Sequence, residues 1–289
     1  MPHPLPLAVT EHIPNGRADG GPVVVLVHGS LDRGASFARV TRRLDDLPTV
    51  VYDRRGYQGS RDALPLNTSL DGHIDDLLTV IDGRTSVVVG HSYGGDVALG
   101  AAVRGGESSG IVSVMAYEPP MPWLGPWARG PRSAAALHAG NRGQAGSGSA
   151  PAAPPVPADL VDPVDPAVAA ERFFRRMVGD AAWDRLSESA KEERRADGPA
   201  LEAELAAIRT VEAPFDVTGL RLPSTFGRGE HSAARHRDTV AWLAEHVPGA
   251  ELVEIAGANH GAHLTHPDAF AAMVRSAVAR AGYPVGSLS

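Results

Sequence analysis

The chain has 289 residues, 43% of them apolar and 21% charged, enough to bury a large core as one big domain or two small ones, and ordinary for a folded globular protein rather than a disordered one. A formal charge of -7, with no Lys/Arg-rich run and no interleaving of aromatic with basic residues, argues against a nucleic-acid surface. With no cysteine, disulfides, a thiol nucleophile and thiolate metal sites are all excluded.

The first residues, MPHPLPLAVTEHIPNG, carry no basic segment followed by an apolar one, so no secretory signal is read and a cytoplasmic location is expected. No apolar run approaches the ~20 residues that span a bilayer. Ala8 to Ile13 reads as an antiparallel edge strand, with Asn15-Gly16 or Asp19-Gly20-Gly21 as a turn into the next strand. Val23 to Val27 is a β-branched run typical of a buried parallel strand; it ends at His28-Gly29-Ser30. A helix is expected over Ala35 to Leu44, with Phe37, Val40 and Leu44 on one face.

Thr49 to Tyr52 is the next strand and runs into Asp53-Arg54-Arg55-Gly56-Tyr57-Gln58-Gly59-Ser60, where Asp53 and Arg54 are read as braces of the loop. Ser69 to Ile81 is an amphipathic helix. Val87 to Val89 then form a strand broken by Gly90-His91-Ser92-Tyr93-Gly94, and small helix-compatible residues follow up to Gly105-Gly106. Glycines two residues either side of a serine on so tight a strand-to-helix turn are a steric requirement, because side chains there would collide. Ser92 is therefore the candidate nucleophile. Ile111 to Tyr117 is a further strand, ended by Glu118-Pro119-Pro120. The alternation of strand and helix predicts an α/β fold with a mostly parallel sheet covered by helices on both faces.

That alternation lapses from Trp123 to Val164, a stretch rich in Gly, Ala, Ser and Pro that is read as a flexible surface excursion. Asp165-Pro166 opens a helix whose apolar side includes Phe173, Phe174, Met177, Trp183 and Leu186, and a second helix is expected after Gly198-Pro199 with Leu201, Leu205 and Ile208 on one stripe. The domain reading is a core of 1–122 and 212–289 with an insertion at 123–211. Regular alternation resumes with Ser224 to Phe226, a helix from Ala233 to His246, a strand from Glu251 to Ile255 and a closing helix from Pro267 to Ala281, for which Thr265 and Asp268 are a candidate capping pair.

These motifs together resemble the α/β-hydrolase superfamily: VVVLVHGS at Val23 to Ser30, DRRGYQGS after the next strand, GHSYGG at the tight turn and GANHGAHLTHP at Gly257 to Pro267. The resemblance implies a helical cap after the sixth strand of the family's sheet. It also implies a histidine base on the loop after the last strand, hence His260, with His263 and His266 lying further along. The acid departs from the family's commonest pattern, since Ser232 stands where an Asp is expected after the seventh strand. Some relatives, among them certain haloalkane dehalogenases and zearalenone lactonases, carry a Glu directly after the sixth strand instead, and Glu118 matches that alternative; Glu230 is the other candidate. The resemblance further places the two oxyanion-hole amides at Ser30 and Tyr93.

The expected function is a serine hydrolase acting on a carboxylic ester or lactone through an acyl-enzyme, with a small-molecule ester-like substrate and no metal or organic cofactor implied. C–C bond hydrolysis or perhydrolysis on the same residues, and a non-catalytic ligand-binding protein on the same fold, are the alternatives. A Ser in place of an Asp nucleophile argues against dehalogenase or epoxide hydrolase chemistry.

Overall fold

The computed structural model describes residues 7–14, 21–63, 68–124, 165–208 and 212–284. Its centre is a sheet of seven strands among the described residues: β1 (Val9–His12), β2 (Val23–Val27), β3 (Thr49–Tyr52), β4 (Ser86–His91), β5 (Ile111–Tyr117), β6 (Ser224–Gly229) and β7 (Glu251–Ile255). The spatial order is β1-β3-β2-β4-β5-β6-β7, and every pairing is parallel except that of β1 with β3. β4, which leads to Ser92, is therefore central and buried along its length.

Valine-rich strands with both faces covered need apolar side chains on alternate sides, and the two resulting cores divide β2 and β4 between them. Val25, Val27 and Val88 face a layer built from α2 (Leu70–Ile81) and α3 (Tyr93–Gly105), where Ile74, Leu77, Val97 and Leu99 are buried. Val24, Leu26, Val87 and Val89 face the other layer, which contains Phe37, Leu44, Phe270 and Val274. The last two lie on α10 (Pro267–Arg280), and α1 (Ala38–Thr41) packs beside that helix. Helix α8 (Ala234–His246) covers β6 on the first side. No helix among the described residues is long and apolar enough to cross a membrane.

Among the described residues, four helices stand between β5 and β6 where two were expected: α4 (Pro166–Val178), α5 (Asp180–Asp184), α6 (Glu188–Ala196) and α7 (Gly198–Ile208). Asp165 caps α4 by accepting from the Ala167 amide, with Pro166 in the first turn as its fixed φ favours. Gly179, at φ 101°, separates α4 from α5, a backbone setting that a side chain would strain. Trp123 and Leu124 are described ahead of the insertion, and the excursion read over the rest of that stretch falls outside the described residues. β5 is the fifth strand among the described residues and stands where the resemblance counts the family's sixth, directly before Glu118.

Three local expectations need correction. β1 does not pair with the next strand in sequence: it lies antiparallel to β3, with Val9 opposite Tyr52, while the turn residues 15–20 lie outside the described segments. The helix expected from Ala35 to Leu44 is shorter, a 3-10 turn at Gly34–Phe37 leading into α1. The Gly34 amide donates to Asp53 Oδ1, which ties the start of that turn to the loop after β3. The Thr265–Asp268 cap does not form, because Asp268 is drawn instead to Arg43 and Thr265 Oγ1 bonds with the His266 ring.

Candidate active site

Ser92 lies between β4 and α3 at φ 54°, ψ -129°, a region that a side chain occupies only under constraint. The constraint is visible on every side. A Cβ at Gly90 would sit 2.3 Å from the Gly94 carbonyl oxygen, and one at Gly94 would sit 2.2 Å from that of Val27. The Ser92 amide donates to the Tyr117 carbonyl at 2.9 Å and its carbonyl accepts from the Gly95 amide at 2.7 Å. Tyr93 is the first residue of α3, so its N–H has no acceptor within the helix. Gly29 touches the serine from the opposite loop: a Cβ there would lie 2.9 Å from Ser92 Cβ.

Glu118 extends from the end of β5, fully buried and also at positive φ (49°). Its two oxygens divide the work: Oε1 accepts from the Gly229 amide at 2.8 Å, and Oε2 accepts from His260 Nδ1–H at 2.7 Å. Burial alone would push this carboxyl up, but the His260 bond and charge, helped by Ser232 and the Gly229 amide, outweigh it and hold the group below the ordinary glutamate range. With Nδ1–H given to the carboxylate, Nε2 is the nitrogen of His260 left to take a proton.

The loop bearing His260 is fastened to both neighbouring strand ends. Tyr117 donates its hydroxyl to the Asn259 carbonyl at 2.9 Å, and His91 Nε2–H donates to the His260 carbonyl at 2.8 Å. These anchors come from the residues just before Glu118 and Ser92. His236, at the start of α8, stacks on the His260 ring with centroids 4.5 Å apart. Burial, then repulsion from His260, lowers its pKa to about 3, so it is a neutral platform.

The rival candidates lie elsewhere. Glu230 is exposed and accepts from the Gly257 amide at 2.8 Å, while the His260 ring bonds with Glu118. His263 is buried 3.4 Å from Asp32 and tilted against Phe37 and His91. His266 bonds with Thr265.

Ser30 follows the His28-Gly29 turn at the end of β2. Arg54, fully buried, clasps that turn through Nε to the His28 carbonyl at 2.8 Å and Nη2 to the Gly29 carbonyl at 2.9 Å. His28 completes the clasp: its Nδ1–H donates to the Gly29 carbonyl and its Nε2 accepts from the Arg54 amide, both at 2.8 Å. The bracing role read for Asp53 and Arg54 matches these bonds, Asp53 accepting from both the Gly34 and Gly59 amides.

Sequence reading missed the partner of Arg54, which is Glu204 of the inserted helix α7. Glu204 pairs with Arg54 Nη1 and accepts from Ser30 Oγ at 2.6 Å and Tyr57 OH at 2.7 Å. A signal was available: the stripe Leu201, Leu205, Ile208 also contains position 204, and a carboxylate on an apolar stripe demands buried partners. His236 carried no comparable signal.

A half-buried serine on a strand-to-helix turn, a carboxylate–imidazole pair and a glycine turn, all at the carboxyl ends of parallel strands, define a hydrolase-type α/β site. The profile of the Alpha/beta hydrolase family matches residues 24–273, and the chain belongs to that family. Among curated proteins it is similar to Lipase LipV of Mycobacterium tuberculosis, 30% identical over 112 residues, which is 37% of this chain and 41% of that lipase's length. Among solved structures it resembles a thermophilic esterase from Thermogutta terrifontis (TM-score 0.66, 18% identity, covering 96% of this chain and 94% of the other). An enol-lactonase from Burkholderia xenovorans is similar to the same degree (TM-score 0.63, 18% identity, 94% and 96%).

Proposed function

We propose that this hydrolase cleaves carboxylic esters or lactones through an acyl-enzyme, with Ser92 as nucleophile, His260 as base, Glu118 as the acid that orients it, and the amides of Ser30 and Tyr93 as the oxyanion hole. The observation that carries the reading is the 2.7 Å bond from His260 Nδ1 to a fully buried Glu118, on a loop anchored to the residue before Ser92. Likeness to a lipase, an esterase and an enol-lactonase supports the ester or lactone class. In this reading the segment 123–211, through its described helices at 166–208, acts as a cap over the strand ends, with 1–122 and 212–289 as the core.

Chemically, Ser92 Oγ attacks the acyl carbon while His260 Nε2 takes its proton, and the negative charge on the carbonyl oxygen falls to the two amides. Collapse breaks the bond to the leaving alkoxide, which receives that proton from the imidazolium. Water, deprotonated by His260, then attacks the acyl-serine and releases the acid and the free serine. Glu118 stays ionised throughout and stabilises the imidazolium.

The direct test is presteady-state hydrolysis of p-nitrophenyl acetate together with labelling by a fluorophosphonate. A burst of nitrophenolate and a single adduct on Ser92 are expected, both lost in Ser92→Ala; turnover unchanged in that variant would overturn the mechanism.

A further inference from the structure

We propose that Glu204, a residue of the inserted helices, is a positioning residue that aims the Ser30 amide of the oxyanion hole, so that the hole is complete only when α7 is docked on the core. The proposal rests on the acyl-enzyme reading above and deepens it.

Glu204 is fully buried in the middle of α7, yet every group it engages belongs to the core. Arg54 and Tyr57 come from the loop after β3, Ser30 from the turn after β2, and His73, whose Nε2 lies 3.2 Å from Glu204 Oε1, from α2. Burial alone would raise this carboxyl, but the Arg54 charge and the His73 contact prevail and hold it at about 2, so it is ionised wherever the protein is used. An ionised carboxylate with several donors in a fixed fork is a rigid anchor rather than a mobile side chain.

The anchor reaches Ser30 by two routes. One is direct: Ser30 Oγ donates to Glu204 Oε2 at 2.6 Å, which fixes the side-chain torsion of the residue. The other runs through the backbone. The Gly29 carbonyl and the Ser30 N–H belong to one planar trans peptide, so they point in opposite directions and holding one aims the other. Arg54 Nη2 holds that carbonyl at 2.9 Å, and Arg54 is itself held by Glu204 through Nη1. The carboxylate thus constrains both ends of the same residue. Ser92 lies against this turn at Gly29, so an error in the direction of the Ser30 amide is an error at the reacting carbonyl.

The experiment compares Glu204→Gln, Ser30→Ala, Ser30→Thr and the Glu204→Gln/Ser30→Ala double variant on p-nitrophenyl acetate, with thermal unfolding of each. Removing a whole oxyanion donor costs 10²–10³ in kcat, and a misaimed one is expected to cost about tenfold. Ser30→Ala, which leaves the Arg54–Glu204 pair intact, should lose about that factor in kcat with KM and Tm nearly unchanged, and Ser30→Thr should restore it. Glu204→Gln, which disturbs both routes, should lose at least as much kcat, and the double variant should lose no more than the worse single variant. Ser30→Ala with wild-type kcat, additive losses, or a Glu204→Gln that lowers Tm without lowering kcat would each overturn the proposal.

Hydrogen exchange at the amides of residues 28–31 gives a readout independent of turnover. Faster exchange in Glu204→Gln than in the wild type is expected, and equal exchange overturns the positioning role. A wild type that neither turns over ester nor takes the fluorophosphonate overturns the acyl-enzyme reading instead, a result distinct from any of these.

Discussion

Ser92 and Glu118 share an unusual backbone state, both at positive φ although neither is glycine. Such conformations cost about 1–3 kcal/mol each and persist only where the surroundings force them. Here the forcing is the parallel pairing of β4 with β5, which puts His91 beside Tyr117 and both bends at the same level of the sheet. Glu118 and Ser92 therefore leave neighbouring strands at matching points, next to the loop that carries His260. On the proposed mechanism Glu118→Gln keeps the shape but removes the charge that would stabilise the imidazolium, and kcat is expected to fall by roughly 10³–10⁴. Glu230→Gln should stay within about twofold of the wild type, since that side chain holds only the Gly257 amide. Steady-state kinetics of the two variants check this, and equal losses would return the assignment to Glu230.

At the scale of elements, the turn around Ser92 works because α3 descends directly against the end of β2. Gly94→Ala would drive a methyl group into the Val27 and His28 carbonyls, at 2.2 and 2.6 Å, with only backbone to yield. It should cost more than about 3 kcal/mol, read as a urea midpoint far below the wild type or as loss of soluble protein. The strands, α2, α3, α8 and α10 were legible because β-branched runs and 3.6-residue stripes report burial on one or both faces. Helix α6 was not, for its sequence ESAKEERRA has no buried residue and no apolar stripe. It is attached through charges: Glu193 to Arg33 and Arg195 to Glu171. Of the candidate site, Ser92 was legible from a motif that constrains backbone, while His260 and Glu118 were reached through the family resemblance, and the Glu118–His260 contact could be seen only once the chain was folded. Glu204 and His236 escaped because their partners lie far off in sequence, and only folding brings them together.

Across the whole molecule, buried ionisable groups fix how stability responds to acid. Burial first, then nearby charge, lowers His28 and His236 to about 3, lowers His73 and pushes His91 well down, so all four are neutral in the folded chain. The unfolded chain takes up those protons near pH 6.5 and the folded one does not, so stability falls as pH drops below that point. At pH 5 His28 and His236 should each cost on the order of 2 kcal/mol. Glu204 acts in the same direction lower down: its contribution is complete above the ordinary glutamate pKa near 4.3 and is lost as pH falls through about 2. Urea midpoints at pH 7, 5 and 4 should therefore decline at each step, and a flat profile would contradict the neutral state of the buried histidines.

The bonds from Tyr117 and His91 tie the His260 loop to the ends of β5 and β4 without any help from the helices between β5 and β6. The His260 loop is thus braced from within the sheet, whereas the helices of 166–208 meet the core through a small apolar cluster of Leu31, Tyr57, Ala170, Ala200 and Leu201, the buried Arg54–Glu204 pair, and ion pairs such as Arg33–Glu193 and Arg61–Asp197. Side chains of those helices can therefore change without touching the bonds that hold the His260 loop, on one condition: a carboxylate must still reach Arg54.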